Sequence, residues 1–188
     1  MEENNFEENK YRYLEKETPE EKYVPLRKQG MKEQLDWIKR QLEYIDTAEK
    51  YKLRYDLKKG EIYEVDWGLN INAEFSNKHY GLVLTDSSAF NPLVIMCPLR
   101  VVGAGQTRRR DVDLGFIPQL NGSYKTLAVV NQIRTVDKLR IFTKHKFGEK
   151  RLLDGAYEVE EFAPIYRLEE DKVNLVLLAY YNIINGID

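Results

Sequence analysis

The residues with the clearest chemical potential lie in a polar stretch, from Asn70 to His79, that precedes an apolar run starting at Gly81. His79 is one of two histidines in the chain, and a histidine can both accept and donate a proton near neutral pH. Lys78, next to it, could hold a phosphate group. Loops between strands commonly carry functional sites, but the residue types alone favour an ordinary strand-edge role for His79.

Arginines form a second group of candidates. Arg100 directly follows the apolar run 93–99, so it would present a planar set of donors at the end of a buried strand. Further along, a glycine-containing stretch leads to three consecutive arginines, Arg108, Arg109 and Arg110. These arginines could clamp a phosphate. The alternatives are a solvated charge run for the three and an ion pair with a carboxylate for Arg100.

Composition limits the classes of function. The chain has 188 residues, 43% hydrophobic and 32% charged, which fits one soluble domain with an appended segment. Its net charge of −2 argues against binding nucleic acid over the whole surface, so phosphate contacts would be local. Two histidines and one cysteine argue against a Cys/His zinc site. No cofactor or metal is predicted, although a carboxylate magnesium site stays open.

Three features predict a cytoplasmic protein. No apolar run approaches the length of a membrane span, so no membrane contact is expected. The N-terminus, Met1 to Asn5, is acidic where a signal peptide would be basic and then apolar. The single cysteine, Cys97, excludes an internal disulfide.

Residues 1–55 differ from the rest and are predicted to form a charged, helical extension. The run Thr18-Pro19-Glu20-Glu21 has the cap, proline and acids of a helix start, and Pro25 and Gly30 are expected to end that helix. A second helix is predicted over 31–50, because apolar side chains recur there at spacings of four and three residues. This apolar stripe consists of Met31, Leu35, Ile38, Leu42 and Ile45.

The stripe has two interpretations. It packs on its own domain or on a second copy of the chain, which is the preferred interpretation, or it pairs with the helix of another protein. Its spacing suits a coiled-coil seam. The stretch covers fewer than three heptads, however, which is too short to establish a coiled coil.

Residues 56–188 are predicted to form the main domain. Its first strand is expected to be half-buried, because Tyr63, Val65 and Trp67 alternate with polar residues. Short continuous apolar runs at 81–84 and 93–99 predict strands that are covered on both faces, and the run at 127–130 predicts a further strand. Strands at this spacing favour a small antiparallel barrel.

A helix closes the chain. Apolar residues at helical spacing predict it over about 168–185, and Asn185-Gly186 is a suitable stop. The predicted fold class is therefore mainly β with flanking helices, in the α+β class, with a small SH3-like barrel as the expected architecture.

One segment carries a family resemblance. The run Asn131-Gln132-Ile133-Arg134-Thr135-Val136-Asp137-Lys138 resembles the Gln-Ile-Arg-Thr-hydrophobic-Asp-Lys segment of MazF/PemK-like toxins of bacterial type II toxin–antitoxin systems. Residues 59–68 resemble the first strand of that family. The stretches 74–84 and 94–100 fall where the family has its loop and next two strands, so the resemblance covers about 59–142 in order.

The resemblance implies a function. It implies a homodimeric SH3-like barrel that binds single-stranded RNA, commonly mRNA, in a groove at the dimer interface, and a small antitoxin protein that occupies the same groove. It also implies a metal-independent endoribonuclease, in which the ribose 2′-OH attacks the adjacent phosphate and leaves a 2′,3′-cyclic phosphate. That chemistry needs a proton acceptor, a proton donor and positive charge at the phosphate.

The sequence departs from the family at both catalytic positions. His79 falls where the family has the arginine of an Arg-Pro pair, with Tyr80 in place of the proline, and Arg100 falls where the family has threonine or serine. Either the roles are exchanged, with His79 transferring the proton and Arg100 supplying the cation, or the site has lost activity. A one-residue slip of the alignment is a further alternative. We prefer the exchange of roles.

The predicted site therefore has two catalytic residues, His79 and Arg100. The predicted RNA-binding residues are Glu74, Ser76, Asn77, Lys78, Arg108, Arg109, Arg110, Gln132 and Arg134. Arg134 could alternatively bond Asp137 or the dimer mate. Two other functions remain open: a non-catalytic module that binds RNA or a protein, and a mimic of a toxin subunit that titrates an antitoxin.

Overall fold

The computed structural model describes residues 20–50, 55–70, 74–103, 108, 110–121, 123–142 and 163–187. Within the first helix it describes the side chains of residues 30–46. The chain forms two compact units, Met1–Lys39 and Arg40–Asp188. None of the described helices is both long and apolar enough to cross a membrane.

Helix α1 spans Glu20–Lys50 without a break. The predicted helix over 31–50 is confirmed, but the expectation that Pro25 and Gly30 end an earlier helix was wrong. A proline removes one backbone donor and a glycine removes none, so a long helix that propagates on both sides can continue through them. Thr18 and Pro19, the predicted cap and first helical residue, lie outside the described residues.

The apolar stripe of α1 is exposed among the described residues. All five of its side chains are at least half exposed, Met31, Leu35, Ile38, Leu42 and Ile45. Within the second compact unit, the sheet does not cover Leu42 and Ile45. Instead, a different face of the helix, with Arg40 and Tyr44, contacts the carboxylate of Asp66.

Eight strands form one antiparallel sheet. They are β1 Glu61–Asp66, β2 Lys78–Val83, β3 Leu93–Val102, β4 Asp111–Phe116, β5 Lys125–Val129, β6 Arg134–Asp137, β7 Ile141–Phe142 and β8 Tyr166–Arg167. The strand order is β4-β5-β3-β2-β1-β7, and β6 pairs with β3 while β8 pairs with β1. This confirms the mainly β fold class, although β4 and β7 end the path and do not pair with each other in the described part of the chain.

β1 is an interior strand of the sheet rather than an edge strand. It pairs with β2 on one side and with β7 and β8 on the other. Ile62 belongs to one apolar cluster of the core, and Tyr63, Val65 and Trp67 belong to another. The predicted half-buried strand was therefore wrong in its burial, because two clusters cover both faces and only Glu64 is exposed.

One short helix, two 3₁₀ turns and one longer helix complete the described fold. Helix α2 spans Pro118–Asn121, and single 3₁₀ turns span Val130–Gln132 and Lys138–Arg140. Helix α3 spans Glu170–Ile184 and buries Val173 and Val176. Its predicted position and stop are confirmed, since Asn185 caps it and Gly186 has a φ of +67°, a conformation that glycine adopts without strain.

Gly81 brings β2 close to the side chains of β1. A Cβ atom at this position would lie 2.9 Å from both Trp67 and Val65, closer than packed carbons allow. Glycine therefore lets the Trp67 ring pass beside β2, two residues from His79.

Candidate functional site

A pocket of about 330 Å³ lies beside β1, β2, β3 and α2. Its lining consists of Glu64, Lys78, His79, Tyr80, Leu99, Arg100, Val101 and Leu120. The structure therefore places Lys78 and both predicted catalytic residues in the lining of one pocket, although Arg100 is distant in sequence from Lys78 and His79. Antiparallel pairing explains this, because Gly81 faces Pro98 across β2 and β3, and His79 and Arg100 lie two residues further along these strands.

His79 is the second residue of β2, so it belongs to the strand rather than to the preceding loop. Its ring lies 4.7 Å from the ring of Phe75, between centroids, and Phe75 in turn meets Trp67 edge to face at 5.8 Å. Burial lowers the pKa of His79 below its usual value of 6.5. The imidazole is therefore neutral at pH 7 and can accept a proton.

Arg100 lies within β3, opposite Leu127 of β5. Its guanidinium donates to the carboxylate of Asp111, whose side chain is almost fully buried. The Asp111 carboxylate also accepts a hydrogen bond of 3.0 Å from the backbone N–H of Arg108. The carboxylate thus fixes the position of the Arg100 guanidinium and balances its charge.

Glu64 and Tyr80 face each other across β1 and β2. Because side chains alternate along a strand, they project from the same face of the sheet. The Tyr80 hydroxyl donates to the carbonyl oxygen of Leu120 at 3.3 Å, and the Lys78 ammonium lies 4.3 Å from the centroid of the Phe142 ring. Sequence reasoning did not identify Glu64 as a site residue; the only signal was a charged residue in the middle of an apolar strand.

The loop between β1 and β2 is held by side chains from the Gln-Ile-Arg-Thr segment. Gln132 accepts a hydrogen bond from the backbone N–H of Phe75. Arg134 donates to the carbonyl oxygens of Trp67 at 2.5 Å and Phe75 at 3.5 Å, and its guanidinium lies 5.1 Å from the Trp67 ring centroid. The two predicted RNA-binding residues of this segment therefore position the loop next to His79.

The rest of that segment also binds backbone. Lys138 is buried and donates to the carbonyl oxygens of Tyr55, Ser87 and Ser88. Asp137 accepts from the backbone N–H of Leu139, which caps a 3₁₀ turn, and it makes no bond with Arg134 among the contacts described. Side chains of the segment that carries the family resemblance therefore hydrogen-bond backbone groups of the domain in this structure.

The other predicted RNA-binding residues lie outside the pocket lining. Ser76 bonds within its own loop, donating to the carbonyl oxygen of Glu74 at 3.1 Å. Asn77 is exposed and has a φ of +65°, which asparagine tolerates better than most residues. Glu74, Arg108 and Arg110 are exposed, and Arg109 lies outside the described residues.

Asp66 occupies a different environment on the same face of β1. Its side chain has 0% exposure and accepts from the Arg40 Nε at 2.9 Å, the Tyr44 hydroxyl at 2.8 Å and the Gly68 N–H at 3.0 Å. Burial, with the hydrogen bond to Asp66, raises the pKa of Tyr44 well above its usual value. This cluster joins the last turns of α1 to the sheet.

Within the described ranges, no group of three histidine, cysteine, aspartate or glutamate side chains is placed to hold a metal ion. The side chains that line the pocket include an imidazole, two cations, a carboxylate and a phenol.

The described fold is an eight-stranded antiparallel sheet with flanking helices and a pocket at one side. A family model of the PemK-like, MazF-like toxins of type II toxin–antitoxin systems matches residues 58–155. The chain belongs to this family.

Solved structures of two proteins are similar to the chain. MazF (Form-I) from Deinococcus radiodurans shares 14% identity over 70% of this chain and 98% of that chain, with a TM-score of 0.47. MazE-MazF (Form-II) from the same organism shares 14% identity over 71% and 99%, with a TM-score of 0.42. A search of the curated proteins found no match.

Proposed function

We propose that this member of the family is an endoribonuclease that cleaves single-stranded RNA, including mRNA, without a metal ion. The observation that carries the proposal is the meeting of Lys78, His79 and Arg100 in the lining of one pocket. A histidine can supply the proton acceptor, and the two cations can supply the positive charge, that cleavage through the ribose 2′-OH needs.

In the proposed reaction, neutral His79 accepts the proton of the 2′-OH. The 2′-oxygen forms a bond to phosphorus, the bond from phosphorus to the 5′-oxygen breaks, and the leaving 5′-oxygen takes a proton from water. The products are a 2′,3′-cyclic phosphate and a 5′-hydroxyl. The low pKa of His79 supports the role of proton acceptor, because the imidazole is neutral at pH 7.

Arg100 supplies positive charge to the phosphate oxygens as the negative charge on the phosphate increases. Its pairing with Asp111 holds the guanidinium in a fixed orientation before RNA binds, which reduces the reorganisation needed in the transition state. Lys78 adds a second cation at the same lining. Glu74, Ser76 and Asn77 are proposed to contact RNA from the adjacent loop, and Arg108, Arg109 and Arg110 are proposed to contact it as well.

The test is cleavage of a mixed single-stranded RNA in EDTA, with product ends identified by mass spectrometry. We expect cyclic-phosphate ends from the natural chain and a loss of about 10²–10⁴-fold in rate for His79→Ala. His145→Ala, which changes the other histidine of the chain, is the matched control and should cleave normally. Products that persist unchanged in His79→Ala, or no cleavage by the natural chain, would refute the proposed chemistry.

A second candidate function is a module that binds RNA or a partner protein without cutting. The observation that favours it is the ion pair between Arg100 and Asp111, because the carboxylate competes with a phosphate for the guanidinium. Stoichiometric binding of RNA without cleavage, tightened in Asp111→Asn by removal of the competing carboxylate, would support this module. Cleavage in EDTA that depends on His79 would exclude it.

We also propose a small antitoxin as partner and a homodimer as the working unit, in the cytoplasm. Family membership supports the antitoxin. The outer face of α3 supports the dimer, because Leu175, Leu178, Tyr181 and Ile184 are all exposed there and apolar faces of this kind mark interfaces. Light scattering of the natural chain and of Leu178→Glu measures the oligomeric state, and an unchanged monomer in both would contradict the proposed dimer.

The division of the chain into an extension, 1–55, and a barrel domain, 56–188, is also a proposal. We infer that the extension contributes to assembly through its exposed apolar stripe. Deleting residues 1–55 should lower the oligomeric state or the activity. An unchanged oligomer with unchanged activity would remove this role.

A further inference from the structure

We propose that the pocket beside β1 binds a guanine base of the RNA and that Glu64 selects it. This inference rests on the proposed function, because that function requires RNA, the polymer that carries the base. It adds a recognition site, since Glu64 and Tyr80 have no part in the proton transfer or in the phosphate contacts described above.

The pocket has the size and walls of a small-molecule site. Its volume of about 330 Å³ lies within the usual range for ligand pockets. Leu99, Val101 and Leu120 provide apolar walls. Tyr80 provides a half-buried aromatic ring, whose hydroxyl is fixed on the Leu120 carbonyl. Unstacked bases of single-stranded RNA bind on such aromatic surfaces.

Glu64 is the unusual group in this lining. It is exposed, and within the described part of the chain its carboxylate takes part in no hydrogen bond or ion pair. Its neighbours on β1 differ, because Glu61 accepts from Tyr63 and Arg167 and Asp66 accepts from three donors. The Glu64 oxygens are therefore available to a ligand that offers N–H donors.

Guanine matches a carboxylate better than the other bases do. An ionised carboxylate has two oxygens that only accept hydrogen bonds. The Watson–Crick edge of guanine offers two adjacent donors, the N1–H and the N2 amino group. Adenine and cytosine offer one donor beside an acceptor, and uracil offers one donor between two acceptors. Only guanine can satisfy both carboxylate oxygens without placing an acceptor against them.

The charges around the pocket favour an RNA base over a basic side chain of a protein. Lys78 shares the lining and the sheet face with Glu64, and its ammonium would repel an arginine or lysine guest. A nucleotide places its neutral base against Glu64 and its phosphate near Lys78, which lies on the same face of the sheet. The groups facing Glu64 from adjacent strands are Tyr80 and Lys78 of β2 and Phe142 of β7.

The experiment is a titration of the isotope-labelled, full-length protein with each of the four nucleoside 5′-monophosphates, followed by NMR. We expect GMP to bind about tenfold more tightly than AMP, CMP or UMP, with shifts at Glu64 and Tyr80. Glu64→Gln should lose this preference, because glutamine presents one acceptor and one donor. Glu170→Gln, which changes an exposed glutamate of α3, should retain it.

Equal binding of the four nucleotides, or a GMP preference that survives in Glu64→Gln, would overturn the inference. Binding of N-acetylarginine amide in place of GMP would also overturn it, by assigning the pocket to a protein side chain. RNA cleavage without a guanine preference would refute this inference and leave the proposed function standing. Preferential GMP binding without any RNA cleavage would support this inference and refute the proposed function.

Discussion

Two carboxylates on the same face of the same strand have opposite environments. Asp66 and Glu64 are two residues apart on β1, so alternation places both side chains on one side of the sheet. The side chain of Asp66 has 0% exposure and accepts hydrogen bonds from Arg40, Tyr44 and Gly68. Glu64 is exposed and borders a pocket.

The difference lies in what covers each residue. The last turns of α1 cover Asp66 and supply a guanidinium and a phenol, and a buried carboxylate is tolerated only with such donors. No described group donates a hydrogen bond to the Glu64 carboxylate. A fully bonded carboxylate stabilises the fold, whereas one without a protein partner at a pocket is available to a ligand. Four predictions test this distinction.

The largest effect is expected for Asp66→Ala. Its removal leaves the Arg40 and Tyr44 donors without their acceptor, so we expect a loss of about 3 kcal/mol in the free energy of unfolding. Urea unfolding measures this loss. Glu64→Ala is the matched control and should stay within about 0.5 kcal/mol of the natural chain. Similar losses for the two variants would abolish the distinction between the two carboxylates.

A smaller loss is expected for Arg134→Ala. Arg134 donates to the Trp67 and Phe75 carbonyl oxygens and lies over the Trp67 ring, so its removal should cost about 2 kcal/mol. Hydrogen exchange at the Asn77 amide, which donates to the Gly68 carbonyl oxygen, should become faster. Arg108→Ala, at an exposed position, should change neither quantity. Unchanged exchange in Arg134→Ala would show that the loop does not depend on these hydrogen bonds.

The pH dependence of cleavage tests His79. Its pKa lies below 6.5 because burial disfavours the charged ring, so the proton-accepting form predominates at pH 7 and is lost as the pH falls through that pKa. The rate should be constant at and above about pH 7 and fall about tenfold per pH unit below the pKa. A rate that rises as the pH falls would instead make His79 a proton donor. Circular dichroism over the same range separates this effect from unfolding.

The smallest effect is expected for the stability of Glu64→Gln. Its carboxylate bonds no other described group. The free energy of unfolding should therefore stay within about 0.5 kcal/mol of that of the natural chain, and the melting temperature should hardly change. Thermal unfolding with and without GMP makes the comparison sharper. GMP should stabilise the natural chain and have little effect on the variant. Stabilisation of both to the same extent would place the ligand away from Glu64.

Much of the fold could be predicted from local patterns. Continuous apolar runs identified β2, β3 and β5, and helical spacing with Asn185-Gly186 identified α3. Alternation identified β1 but gave the wrong burial, because alternation does not reveal that a second cluster covers the other face. The exposed stripe of α1 looked like a core-facing stripe, since periodicity shows that a helix is amphipathic and does not show which partner covers its apolar face.

The candidate site divides in the same way. The proton-transfer chemistry of His79 and the charge of Arg100 are properties of the residue types, so the sequence could nominate them. It could not indicate that Gln132 and Arg134 bond the loop backbone, because hydrogen-bond partners across 57 to 67 positions depend on how strands are arranged. Neither could it separate Glu64 from Asp66, which have the same chemistry and neighbouring positions.

Local sequence patterns therefore predicted β1, β2, β3, β5 and the two long helices, the family resemblance and the chemical types available to a site, because these depend on periodicity and on the residues themselves. The tertiary structure decided which of those residues meet. Pairing of β2 with β3 brings His79 and Arg100 to one pocket, and the docking of α1 residues on β1 satisfies Asp66 while Glu64 stays open. The physical reason is that burial and hydrogen-bond partners are set by contacts between segments distant in sequence.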